Sequence, residues 1–159
     1  MQPQFTDKAK AALILAERAA RSLRQSYVGS EHILIGLLRE NTGVAATVLQ
    51  NNGVDVVQLK EMIKDLIAPE SSVLIAEYDG YSPRAQSILD EAHRQAERFH
   101  SDKTGTEHIL LALLKEGENV AVRLLAALSA SINAAFALSV NCGCISNSFL
   151  SHNLHRSHL

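Results

Sequence analysis

The sequence predicts an all-α fold built from two related four-helix repeats, and three observations carry that prediction. The segment GSEHILIGLLRE (Gly29 to Glu40) recurs as GTEHILLALLKE (Gly105 to Glu116), an offset of 76 residues. Carried outward without a gap, the offset sets Phe5-Thr6 on Tyr81-Ser82, Ala9 on Ala85, Leu13 on Leu89, Ala16 on Ala92, Arg18 on Arg94, Val44-Ala45 on Val120-Ala121 and Leu49 on Leu125. Apolar residues return at three- and four-residue steps in both copies. Leu, Ala, Ile and Val dominate, with only seven aromatics and no Trp, a balance that favours packed helices over strands.

The first helix of each copy opens at a Thr6 or Ser82 N-cap, with Pro83 suited to the first turn. Its apolar face is Ala9, Ala12, Leu13, Ala16, Ala20 and Leu23, repeated as Ala85, Ile88, Leu89, Ala92, Ala96 and Phe99. After turns at Tyr27-Val28-Gly29 and Lys103-Thr104-Gly105, a second helix is expected to be capped by Ser30 or Thr106. It carries Ile33, Leu34, Leu37 and Leu38, or Ile109, Leu110, Leu113 and Leu114, and is apolar enough to be central. A third helix bears Val44, Val48 and Leu49 and stops at Asn52-Gly53, where glycine permits a left-handed turn. The fourth runs from about Asp55 through Leu59, Ile63 and Leu66 to a stop before Pro69.

These elements divide the chain into repeat one (1–67), a linker (68–80) containing Pro69, Ser71-Ser72 and Asp79-Gly80, repeat two (81–128) and a divergent tail (129–159). The two repeats are expected to share one core about a pseudo-twofold axis. In the tail the only charged side chain is Arg156, and INAAFALSV stands where the first copy has LKEMIKDLI. The last helix of repeat two is therefore left open, between a partly helical tail and a disordered one. Cys142, Cys144, His152, His155 and His158 are competent metal ligands, but their spacing matches no zinc arrangement and they are not assigned a site.

Composition excludes several function classes. A net charge of −2 with interspersed signs gives no basic stripe for nucleic acid. No apolar run reaches the roughly 18 residues that span a bilayer, and the N-terminus does not read as a signal peptide. The expected compartment is the cytoplasm. Phosphate loops, dinucleotide fingerprints, nucleophile elbows and H-E-x-x-H pairs are absent, so catalysis by Glu31-His32 or Glu107-His108 is a remote alternative. Glu31 and Glu107 nonetheless open helices, where free N–H groups favour an anion and a carboxylate suits a guanidinium. Either they build a site for a joined cation and anion, or they offset the helix dipole.

The pattern FTDKAKAAL, VGSEHILIGLL and TGVAATVLQNNGV, repeated as YSPRAQSIL, TGTEHILLALL and ENVAVRLL, resembles the N-terminal double-repeat (Clp N) domain of Clp-type AAA+ protein unfoldases. The GSEHIL and GTEHIL segments point to the bacterial ClpC branch, and the likeness covers about Phe5 to Leu128. It implies a domain that docks substrates and adaptors for a hexameric ATP-driven unfoldase delivering proteins to ClpP. Implied partners are an adaptor of MecA type, phosphoarginine-marked proteins, the AAA+ rings and ClpP, with no nucleic acid and no membrane. No cofactor is implied for this chain, since ATP would bind the AAA+ modules.

Carried over residue by residue, the resemblance implies one phosphoarginine site per repeat. The first groups Glu31 with Thr6 and Val28-Gly29-Ser30, and the second groups Glu107 with Ser82 and Thr104-Gly105-Thr106. Glutamate would hold the guanidinium, and hydroxyl and backbone N–H groups the phosphoryl. Ser82 replaces a threonine common in the family and Thr104 a small aliphatic residue, so the first copy is expected to bind at least as well. The alternative to an unfoldase domain is a stand-alone double-repeat adaptor or regulator.

Overall fold

The computed structural model describes residues 4–66 and 80–132. Over them the chain runs β1 (Gln4–Phe5), α1 (Asp7–Ser22), α2 (Ser30–Glu40), α3 (Val44–Asn51), α4 (Val56–Leu66), α5 (Pro83–Arg98), β2 (Lys103–Thr104), α6 (Thr106–Lys115) and α7 (Val120–Ile132). The all-α expectation is met, with one addition. Gln4 and Phe5 pair in parallel with Lys103 and Thr104, a two-residue ladder too short for any periodicity in the sequence to signal. The linker 68–79 and the tail beyond 132, including the Cys/His cluster and the fourth helix of repeat two, lie outside the described residues.

Local chemistry fixes the helix ends. Thr6 Oγ1 accepts from Ala9 N at 3.2 Å and Ser82 Oγ from Ala85 N at 3.1 Å, the two expected N-caps. At α3 the chain turns at Gly53 with φ +77°, as its sequence predicts. At the matching place repeat two has Ser129 in place of glycine, and α7 runs on to Ile132 where α3 stops at Asn51. The expected change of character at 129 therefore falls inside a helix. Buried Asn119 begins α7 by donating to Leu113 O at 2.7 Å and accepting from Val122 N at 2.9 Å.

Packing explains the composition. Ala9, Ala12, Ala16, Ala19 and Ala20 on α1 are all buried, and these small residues let α2 approach closely. Gly36 is the contact point, since a Cβ there would overlap the Ala12 carbonyl oxygen and crowd Ala16. Helix α2 is buried from Ser30 to Leu38, which is why its sequence is apolar nearly all round.

Contacts between the copies are exchanged reciprocally. The Phe5–Thr104 pairing is matched by a bridge between Tyr81 and Val28, and each pair is the 76-residue image of the other. Likewise α3 packs on α6 as α7 packs on α2, and α1 on α6 as α5 on α2. Ala45 N lies 3.4 Å from Thr106 Oγ1, and Ala121 N lies 3.3 Å from Ser30 Oγ. Such i-to-j and j-to-i exchange is the mark of a twofold relation. One contiguous buried cluster contains residues of both copies.

Candidate functional site

Each Glu-His turn is closed by its own side chains. The N-caps of α2 and α6 are Gly29 and Gly105, not the expected Ser30 and Thr106. The serine and threonine stand one place later, with their hydroxyls turned to the first turns of α7 and α3 in the opposite copy. His32 and His108 take over the capping: Nδ1 of each accepts from Gly29 N or Gly105 N at 2.9 Å. Glycine leaves room for the carboxylate rather than serving backbone angle, because a Cβ at Gly29 or Gly105 would displace the carboxylate of Glu31 or Glu107 from its place. The carboxylate is thus folded back over its own helix N-terminus, where the dipole favours it.

Burial then sets the electrostatics. His32 is fully buried and its Nδ1 lies 3.4 Å from Glu31 Oε1; the matching His108–Glu107 distance is 3.7 Å. Burial pushes both imidazoles below their ordinary pKa, against the opposing pull of the neighbouring carboxylate. Accepting at Nδ1 places the neutral ring's proton on Nε2. At His108 that nitrogen lies 3.5 Å from Ser101 Oγ, whereas His32 Nε2 has no partner among the described residues. A buried, capping imidazole of this kind is poorly placed for proton transfer with a substrate.

The structure regroups the expected site residues. A cavity of about 470 Å³ brings Glu31 together with Tyr27, Gly29, Ser30, Tyr81, Ser82, Pro83, Arg84 and Val120. Ser82 therefore belongs with Glu31, although chain order had placed Thr6 there. Thr6 donates its N–H to Thr104 O at 2.9 Å, so it joins the turn that leads to Glu107. Ser82 N donates in the same way to Val28 O at 2.9 Å. The reason is the reciprocal strand pairing, which carries the start of each first helix to the other copy's turn. Val28 and Thr104 bury their side chains completely and contribute backbone alone.

Chemically, the Glu31 cavity has two poles. Glu31 supplies a carboxylate, with Tyr27 and Tyr81 as aromatic walls. Across from repeat two come the Ser82 hydroxyl, the N-terminus of α5 and Arg84, whose Nη1 donates to Glu118 O at 2.5 Å while other N–H groups remain to the guanidinium. Tyr27, Tyr81, Pro83, Arg84 and Val120 were not anticipated; the only hint was the basic pair Lys8 and Arg84 at the 76-residue offset. A second cavity of about 490 Å³ between α4 and α7 is mainly apolar and shares Val120. Among the described residues no group of three or more His, Cys, Asp or Glu side chains is arranged to hold a metal, and no helix is long and apolar enough to cross a membrane.

Comparison with known proteins agrees with the architecture. The family model for the Clp repeat (R) N-terminal domain matches residues 4–134. The chain is 38% identical to the chaperone protein ClpB of Oceanobacillus iheyensis, over 83% of this chain and 16% of that protein. It is 38% identical to the chloroplastic chaperone protein ClpC1 of Oryza sativa, over 84% of this chain and 14% of that protein. It thus spans less than a fifth of these relatives, and ClpB and ClpC match it equally well. In fold it is similar to the N-terminal domain of ClpD from Arabidopsis thaliana, with TM-score 0.67, 22% identity and coverage of 87% of this chain and 98% of that one. The N-domain of ClpV from Vibrio cholerae gives TM-score 0.67 at 23% identity, covering 93% and 86%.

Proposed function

This chain belongs to the Clp repeat (R) N-terminal domain family, and from that premise we propose that it is the substrate- and adaptor-docking domain of a cytoplasmic, ClpC-like ATP-driven unfoldase. Its ligand is phosphoarginine on proteins marked for degradation, and its partners are a MecA-type adaptor, the AAA+ rings that bind ATP, and a ClpP-type protease. The domain is not catalytic.

One observation carries the reading: a single cavity is lined by Glu31 together with Ser82, Pro83 at the start of α5 and Arg84. Phosphoarginine joins a guanidinium to a phosphoryl group. A carboxylate suits the first, while a hydroxyl, a helix N-terminus and a guanidinium suit the second. The sites are Glu31 with Val28, Gly29, Ser30 and Ser82, and Glu107 with Thr104, Gly105, Thr106 and Thr6. Peptide docking is supported separately by the solved complex of a ClpV N-domain with a VipB peptide.

Calorimetric titration of a phosphoarginine peptide, with the unphosphorylated peptide as control, tests this. Two equivalents, lost stepwise in Glu31→Ala and Glu107→Ala, are expected. Absence of heat from the folded protein would leave adaptor docking as the role and return both glutamates to helix-start electrostatics.

A further inference from the structure

The reciprocal fold makes the two Glu-His turns comparable position by position, and the residues beside them differ. Val28 is completely buried within a backbone bridge to Tyr81, so the residue before it faces the opposite way under strand alternation. That residue is Tyr27, 42% exposed and lining the Glu31 cavity. In the other copy Thr104 is buried in β2, and the outward residue before it is Lys103. A ring beside one turn is thus replaced by a cation beside the other. Pro83 and Arg84, which line the Glu31 cavity, correspond in sequence to Asp7 and Lys8, and Lys8 is turned to the Thr42 carbonyl.

We propose that Tyr27 is the residue that makes the Glu31 pocket selective for an arginine-derived ligand, and that Lys103 weakens the Glu107 site for the same ligand. This rests on the phosphoarginine reading above. A guanidinium is planar and weakly hydrated, and it gains by lying against an aromatic face while its N–H edge reaches a carboxylate. Tyr27 supplies a wall for the face and Glu31 the acceptor for the edge. At the second site the ammonium of Lys103, exposed two residues before the Gly105 cap, opposes a guanidinium directed at Glu107. The consequence is a strong and a weak site in one domain.

The test is calorimetric titration with a phosphoarginine peptide, made in a Glu107→Ala background to isolate the first site. Tyr27→Phe keeps the ring and should hold Kd within about twofold, while Tyr27→Leu should weaken it roughly two- to fivefold. Tyr27→Lys, which adds like charge, should weaken it about tenfold or more. In a Glu31→Ala background, Lys103→Tyr should tighten the second site by a similar factor. Tyr27 is exposed, so melting temperatures should stay level. Equal affinity in the Phe, Leu and Lys variants, with Lys103→Tyr silent, overturns the proposal while the phosphoarginine reading stands. Binding that survives Glu31→Ala together with Glu107→Ala overturns both.

Discussion

Glu31 and Glu107 hold the same place in two copies of one motif, yet Glu31 exposes 9% of its side chain and Glu107 exposes 36%. What each copy receives from its twin differs as well. Tyr81, Pro83 and Arg84 line the cavity at the first turn, whereas at the second Phe5 pairs with Thr104, the Asp7 side chain is fully exposed and Lys8 reaches the Thr42 carbonyl. A duplicated scaffold has kept its capping chemistry, glycine before and histidine after, while the surrounding residues diverged. The glycine–histidine cap, with its bond from Gly29 N or Gly105 N to the imidazole, is the same in both copies, whereas the residues around it vary and so can set ligand preference.

The helix crossings differ more strongly than the pockets, and the largest predicted effect lies there. Gly36 meets α1 with no room for a methyl group, but its counterpart Ala112 is accommodated against α5. Gly36→Ala should destabilise the protein by about 3 kcal/mol despite alanine's better helix propensity, because a carbonyl lies where the methyl would go. Ala112→Gly should cost about 1–2 kcal/mol, the loss of helix propensity plus that of one buried methyl. Urea unfolding of both variants checks this, and equal losses would mean that the two crossings are equally tight.

Binding should follow the burial of the glutamates. Glu31→Ala should weaken phosphoarginine-peptide affinity by about 2–3 kcal/mol, the scale of a lost charge-assisted hydrogen bond to a largely buried carboxylate. Glu107→Ala, at a wetter site, should cost about 1 kcal/mol. Titration heats resolved for the two sites give both numbers, and a reversed order would break the comparison at its centre.

A further contrast lies on the outer faces. Glu91 of α5 joins Arg94, Gln95 and Lys115 at 2.7, 2.6 and 2.5 Å, whereas the first copy has Leu15 at the matching position. Burial raises the Glu91 pKa, but the hydrogen bonds from Lys115, Arg94 and Gln95 outweigh it and bring it from 4.5 to about 2. The folded value is depressed, so the unfolded chain binds more protons in this range. The stabilisation is present above 4.5 and is lost as pH falls toward 2. Discounted for its exposed partners, it amounts to about 1–2 kcal/mol. Glu91→Gln should remove that part of the acid dependence in urea midpoints measured from pH 6 down. The lowered imidazoles act in the same direction from 6.5 downward, with His32 the more deeply buried of the two.

Much of this was legible in the sequence, for a definite reason. Helix spans follow apolar periodicity and end at residues with local chemistry, such as Thr6, Ser82 and Gly53, so α1 to α4 and α5 to α6 could be read in advance. The caps at Gly29 and Gly105 could not. A serine or threonine before a glutamate reads as a cap, and only the extended backbone at the glycine and its bond to the imidazole show that the glycine holds that place. The pairing of pockets was likewise hidden. The 76-residue offset reveals two equivalent units, but a repeat alignment cannot say whether a site is completed within one unit or across two. That depends on β1 and β2, whose two residues each carry no pattern.

The exchange between copies yields the smallest effect and the sharpest test. Thr6 and Ser82 cap their own helices alike, so Thr6→Ala and Ser82→Ala should each cost about 1 kcal/mol of stability, with little to distinguish them. Binding should separate them. If each pocket is closed by the opposite copy, Ser82→Ala weakens the Glu31 site and Thr6→Ala the Glu107 site, each by about 1 kcal/mol. A double-mutant cycle decides the matter, because residues serving one ligand couple and distant ones add. Coupling of Ser82 with Glu31 and additivity of Ser82 with Glu107 would follow from the reciprocal strands. The opposite result would mean that each repeat completes its own site, as chain order suggests, and that the strand pairing serves stability alone.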